Sequence, residues 1–291
     1  METLTQTPPA TLEQIAALER QYLLQTYARY PVVLHHGKGV FLFDIEGKKY
    51  LDFVSGIGVN ALGHAHPRIV KAIRDQAAKL IHVSNLYYHE YQGPLAEKLC
   101  KLSGLNRAFF SNSGTEAIEG SIKLARLAGH RTGGDAKCRL VALDGSYHGR
   151  TFGALSLTGQ DKHRKGFEPL LEDVTFVKQN DLEGLRAAVN DNTCAIVLEP
   201  IFGEGGIFEC SVEFLRECRA VAQRLPVLVG LAIVQPLRHA QPDQLHEHPG
   251  PDRPQRDLGG LLRHRDRQRP ARQPAPWRRE CGLRRRLGPF H

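Results

Sequence analysis

From Arg107 onward the chain alternates short apolar runs with helical patterns, and this rhythm restricts its fold more than any other feature. The apolar runs are 107–110 ("RAFF"), 138–143 ("CRLVAL"), 174–178 ("VTFVK") and 194–198 ("CAIVL"). Helix-period patterns fall near 114–128, 181–189 and 211–224. Short strands without an alternating polar face, joined by helices, predict an α/β domain: a mostly parallel sheet with flanking helices. The run "PVLVGLAIV" at 226–234 would add one more strand.

The text before Arg107 reads differently. Apolar residues Ile15, Leu18, Tyr22 and Leu23 predict a helix from Leu12 to about Ala28. Two alternating runs flank Glu46-Gly47 and predict a β-hairpin. Pro67 opens a helical pattern that continues to Leu80, and another helix falls near Pro94–Leu102. We therefore divide the chain into an N-terminal helix and hairpin segment (1–65), a partial large domain (66–235) and a tail (236–291). The tail has no periodicity, and ten of the chain's 17 prolines follow Leu225, so it is expected to be largely disordered.

Charge separates along the same line. Residues 226–291 carry 13 arginines, no lysine and six acids, whereas the first 225 residues carry 26 bases and 25 acids. The net charge of +8 thus belongs almost wholly to the tail, and the body has no electrostatic footprint for nucleic acid. No run of about 18 apolar residues predicts a membrane span. The polar N-terminus has neither the basic nor the apolar region of a secretory signal. The six cysteines form no C-x-x-C pair, which suits a reducing compartment, so a cytoplasmic location is expected. No metal site is expected.

Three loops carry the notable polar residues. "SNSGTEAIEG" (111–120) leads from an apolar run into a helix. Its plain reading is a capping box with Ser113 at the N-cap and Glu116 three residues on. Its sharper reading is an anion seat, in which first-turn amides, the helix dipole and the Thr115 hydroxyl converge on a phosphate and Gly114 permits close approach. "DGSYHGRT" (144–151) supplies Tyr147, an aromatic face for a flat ligand, and Arg150, a bidentate partner for a carboxylate. "VLEPIFGEGG" (197–206) ends a strand with Glu199 and continues into a glycine-rich loop with Glu204. Taken singly, each has an ordinary structural explanation. Together they lie where open parallel sheets bind ligands, beyond the carboxyl ends of the strands.

The segments "FFSNSGTEAIEGSIKLAR", "DGSYHGRT" and "LEPIFGEGG" resemble the class III aminotransferases, fold-type I enzymes dependent on pyridoxal 5′-phosphate. "YLDFVSGIGVNALGHAHPRIVKAI" and "IHVSNLYYHEYQGPLAEKL" closely resemble the acetylornithine aminotransferases among them. The resemblance runs over roughly residues 25–225, with the motifs in family order. It implies that Ser113, Gly114 and Thr115 bind the cofactor phosphate, that Tyr147 stacks on the pyridine ring and that Glu199 lies near the cofactor. It implies that Arg150 binds the substrate carboxylate and that Glu204 helps tell amino donor from acceptor. His148 receives no role. The implied activity moves an amino group from N-acetylornithine to 2-oxoglutarate, in arginine biosynthesis, within a homodimer whose active sites lie at the subunit interface. Ornithine and 4-aminobutyrate are the alternative donors.

The resemblance also implies residues that this sequence does not contain. Pyridoxal chemistry needs a Schiff-base lysine and a carboxylate at the ring nitrogen. Here the last lysine is Lys178, and no Asp-Glu pair follows Leu225. The chain as given is expected to be an incomplete fold and catalytically inactive, with a reading-frame shift near residue 225 as the cause. Two other readings stay open: a non-catalytic nucleic-acid binder acting through the arginine-rich tail, and a regulatory partner of an intact paralogue.

Overall fold

The computed structural model describes residues 11–225 and the backbone of a strand at 228–231. The expected disordered tail lies outside the described residues.

Helix α1 (Leu12–Tyr22) begins with a reciprocal cap, in which Thr11 accepts the Gln14 amide and Gln14 accepts the Thr11 amide. It is shorter than its apolar pattern predicts. Leu23 turns to extended backbone, and the Gln25 side chain donates to the Glu19 and Leu23 carbonyls, closing the helix end. Strands β1 (Leu34–Lys38), β2 (Phe41–Asp44) and β3 (Lys49–Leu51) form an antiparallel sheet in that order. The predicted hairpin is thus present, with an extra strand. Its turn is set by Asp44, whose carboxylate accepts the Glu46 and Lys48 amides at 3.0 and 2.8 Å and the Tyr50 hydroxyl at 2.7 Å. Helices α2 (Pro67–Ala77) and α3 (Gln92–Ser103) follow, the first with proline in its first turn and the second ended by Gly104 at φ +71°.

The second half is the predicted α/β layer structure. In chain order it contains α4 (Gly114–Gly133), β4 (Arg139–Leu143), α5 (Phe152–Leu157), α6 (Asp161–Arg164), β5 (Val174–Val177), α7 (Leu182–Ala188), β6 (Thr193–Leu198), β7 (Ile201–Phe202), β8 (Phe208–Glu209), α8 (Val212–Arg224) and β9 (Leu228–Leu231). Strands β5-β4-β6-β9 form one sheet in that order, and every pairing is parallel. One predicted strand is absent: residues 107–110 belong to no strand among the described residues. Apolar content alone does not make a strand, because a strand also needs a neighbour to satisfy its amides and carbonyls.

Alternating side chains fill the space on either side of this sheet. Val141 and Leu143 of β4 meet Ile196 and Leu198 of β6 and the faces of α7 and α8, through Leu185, Phe214 and Val221. Leu140 and Ala142 point the other way, to Ala195 and Val197 and to Ile122 and Ala125 of α4. An irregularity lets this register work: Arg139 pairs with Thr193 but Leu140 pairs with Ala195, so Cys194 is the extra residue. Among the described residues, no helix is long and apolar enough to cross a membrane.

Helix α4 lies close to the sheet because Gly129 has no side chain. A Cβ there would sit 2.1 Å from the Lys137 carbonyl oxygen and 2.8 Å from Cys194 Cβ. Gly114, at the other end of the helix, has nothing within 4 Å of such an atom. Gly129→Ala is expected to destabilise the chain by about 1–3 kcal/mol through overpacking. Gly114→Ala should stay within about 1 kcal/mol of the parent, and urea unfolding of the two variants checks both values.

Candidate functional site

The sheet order places a crevice. The chain leaves β4 for β5 on one side, then returns across β4 to lay down β6 on the other. Connections that diverge in this way leave an opening beyond the carboxyl ends of the two strands, here β4 and β6. The loop after β4 is 144–151, and the loop after β6 starts at Glu199. Both were singled out from sequence, and the structure brings them together.

Glu199 joins them. Its Oε1 accepts the Tyr147 amide at 2.5 Å and its Oε2 accepts the Gly203 amide at 3.2 Å. The residue is 1% exposed. Burial pushes its carboxyl above the usual carboxylate range, the two amide bonds oppose that rise, and nearby Glu204 adds to it. Both oxygens are thus committed to holding backbone. Glu204 and Arg150 are exposed, Tyr147 is half-buried, and Arg150 has no ion pair among the described residues.

The 144–151 loop is clipped to the C-terminal end of α5 and the residues just after it. The Ser146 hydroxyl donates to the Leu157 carbonyl at 3.2 Å, the His148 amide to Thr158 Oγ1 at 3.0 Å, and the Gly159 amide to the Ser146 carbonyl at 2.9 Å. His148 is 2% exposed, with both ring nitrogens buried and unpartnered among the described residues. Burial pushes its imidazole down to about 4 from the usual 6.5.

Helix α4 brings in the third loop. Ser113 is its N-cap and accepts the Glu116 amide at 3.2 Å, while Glu116 reaches back to the Asn112 amide at 2.7 Å. The expected cap is therefore present, displaced by one residue on its return bond. The amides of Gly114 and Thr115 find no acceptor among the described residues and stand at the positive end of a 20-residue helix. Thr115 Oγ1 lies 2.9 Å from Thr151 Oγ1 and accepts the Thr151 amide at 3.4 Å. Gly149 makes this approach feasible. Its φ is +129°, and a Cβ there would lie 2.2 Å from Thr115 Oγ1.

Sequence reasoning passed over three contributors. Glu119, one turn beyond Thr115, accepts the Gly153 and Ala154 amides at 2.9 and 3.2 Å and so caps α5 from outside. Its i+4 spacing from Thr115 was the available signal. Thr151 stood within the "DGSYHGRT" segment without a role. His163, on α6, meets the Tyr147 ring edge-on with centroids 5.5 Å apart at 72°, and nothing local in sequence points to it. Among the described residues, no group of histidine, cysteine and acidic side chains is arranged to hold a metal.

Comparison with known proteins places the chain in a family. The family described as "Aminotransferase class-III" matches residues 23–231. The acetylornithine aminotransferase of Caldanaerobacter subterraneus subsp. tengcongensis is 48% identical over 217 residues, covering 75% of this chain and 55% of that protein. Among solved structures, an ornithine aminotransferase from Toxoplasma gondii, described with partial occupancy of PLP at its active site, superposes with TM-score 0.72 at 30% identity, over 76% of this chain and 53% of that one. The acetylornithine aminotransferase from Elizabethkingia anophelis gives TM-score 0.64 at 28% identity, over 77% and 53%. The chain spans about half the length of the curated relatives it matches.

Two outcomes follow from the buried groups. His148 is held neutral in the fold, so its contribution to stability is complete above pH 6.5 and is lost as pH falls from 6.5 towards 4. The loss amounts to about 3 kcal/mol. Unfolding measured across that window should show this slope in the parent, and His148→Gln should flatten it. Glu199→Ala removes the acceptor of two amides. Hydrogen exchange at Tyr147 and Gly203 should accelerate by about tenfold or more, with amides in β4 little changed.

Proposed function

Because the chain belongs to the class III aminotransferase family, we propose that residues 66–235 are part of a domain that binds pyridoxal 5′-phosphate for amino-group transfer, with residues 1–65 as its N-terminal segment. The donor proposed is N-acetylornithine and the acceptor 2-oxoglutarate, because curated relatives at 45–49% identity carry the acetylornithine name. Ornithine or 4-aminobutyrate as donor is the alternative. A cytoplasmic homodimer acting in arginine biosynthesis is the setting proposed for the complete enzyme.

The observation that carries this reading is the Glu199 bridge, which holds the Tyr147 loop and the Glu204 loop together at the crevice. The described residues fit one half of the cofactor. The free amides of Gly114 and Thr115, with the hydroxyls of Ser113 and Thr115, suit the phosphate. Space beside Gly114 allows its approach. The Tyr147 ring suits one face of the pyridine, and Glu199 keeps the Tyr147 backbone where that ring is useful. Arg150, without an ion pair among the described residues, suits the substrate carboxylate, and Glu204 opposite in charge suits a gate for Arg150 between donor and acceptor. Bound pyridoxal phosphate supplies an electron sink for the carbon that loses its proton.

The other half is not in this sequence. No lysine follows Lys178 and no Asp-Glu pair follows Leu225. We therefore propose that this chain holds the cofactor only non-covalently and does not turn over. Pyridoxamine 5′-phosphate is the suitable probe, because it cannot condense with surface lysines. Titration of the full chain should give saturable binding, competed by inorganic phosphate. Gly114→Val, which fills open space rather than core, should weaken binding by about tenfold. Absence of saturable binding would rule out the phosphate seat.

A further inference from the structure

The contact between His163 and Tyr147 has no place in the assignments above. Helix α6 is short, but its position is well fixed. The Gln160 side chain donates to the Gly145 carbonyl at 3.2 Å, and the Gly145 amide to the Gly159 carbonyl at 3.3 Å. At the other end the Arg164 guanidinium lies over the Phe176 ring of β5, 4.7 Å from its centroid. Between these two anchors the His163 imidazole stands edge-on to Tyr147. Its Nε2 is buried with no partner among the described residues. Burial lowers the pKa of the imidazole, the charges of Arg150 and Lys162 add to this, and Glu204 opposes it. The contact it makes is the one with the aromatic residue of the crevice.

We propose that His163 is a positioning residue that fixes the tilt of the Tyr147 ring and so sets how well that ring covers a flat aromatic ligand. Tyr147 is half-buried, and its backbone is pinned at the amide by Glu199. That bond fixes the start of the side chain and leaves its torsions free. An edge-to-face neighbour removes part of this freedom before the ligand arrives, which lowers the ordering cost of stacking. The inference rests on the assignment of Tyr147 as the cover of the cofactor ring.

The test is a binding cycle on the full chain with pyridoxamine 5′-phosphate. His163→Ala should weaken binding by about 3- to 10-fold, the range expected for one aromatic pair. His163→Phe should restore it to within about twofold of the parent, because the edge contact survives without the imidazole nitrogens. In a Tyr147→Leu background His163→Ala should change affinity little, since the residue acts through the tyrosine. Thermal midpoints should match among the His163 variants. Equal losses with and without Tyr147, or failure of phenylalanine to restore affinity, overturn the inference and leave the phosphate seat standing. Failure of the parent chain to bind overturns both.

Discussion

One carboxylate joins the two halves of the crevice. Glu199 leaves the end of β6 with both oxygens turned to backbone amides, one in the loop after β4 and one in its own loop. A buried carboxyl without partners would be costly, and these two bonds are what make its position tenable. They also mean that the residue acts mainly by placing others. Tyr147, on one side of the bridge, and Glu204, next to the other end at Gly203, depend on the same group.

The N-terminus of α4 is fixed to this pair by a second set of bonds, one helical turn apart. Thr115 meets Thr151, and Glu119 takes the first free amides of α5. Gly149 allows the first contact, and Gly129 allows the far end of α4 to approach the Lys137 carbonyl and Cys194 closely. The N-terminus of α4 is thereby registered against the loop that presents Tyr147 and Arg150.

Much of the architecture was readable from residue patterns, and the exceptions are instructive. Strands β4 and β6 were evident because Leu140–Leu143 and Cys194–Leu198 are unbroken apolar runs, as double-sided burial requires, whereas β5, at the sheet edge, carries an exposed Thr175 within its run. Residues 107–110 carry the same signal and do not pair, since pairing depends on a partner that pattern cannot supply. Strand β1, with two histidines and a glycine in five residues, has no strand-like pattern and exists because β2 offers a ladder. Among site residues, Ser113, Gly114, Thr115, Tyr147, Arg150, Glu199 and Glu204 stood out by their motifs. The structure places them at loops that meet. His163 was invisible because its relevance lies in a ring that is distant in local pattern and near only in space.

The sequence by itself determined the class of fold and the capped start of α4, because both follow from local periodicity and capping chemistry. It also determined that no lysine follows Lys178, which needs no structure to detect. Tertiary structure alone decided the strand order, and with it the position of the crevice between β4 and β6. It alone decided that Glu199 is shared between two loops, that His148 is neutral and buried, and that His163 faces Tyr147. Each of these depends on which distant segments are brought into contact, and side-chain periodicity carries no information about that choice.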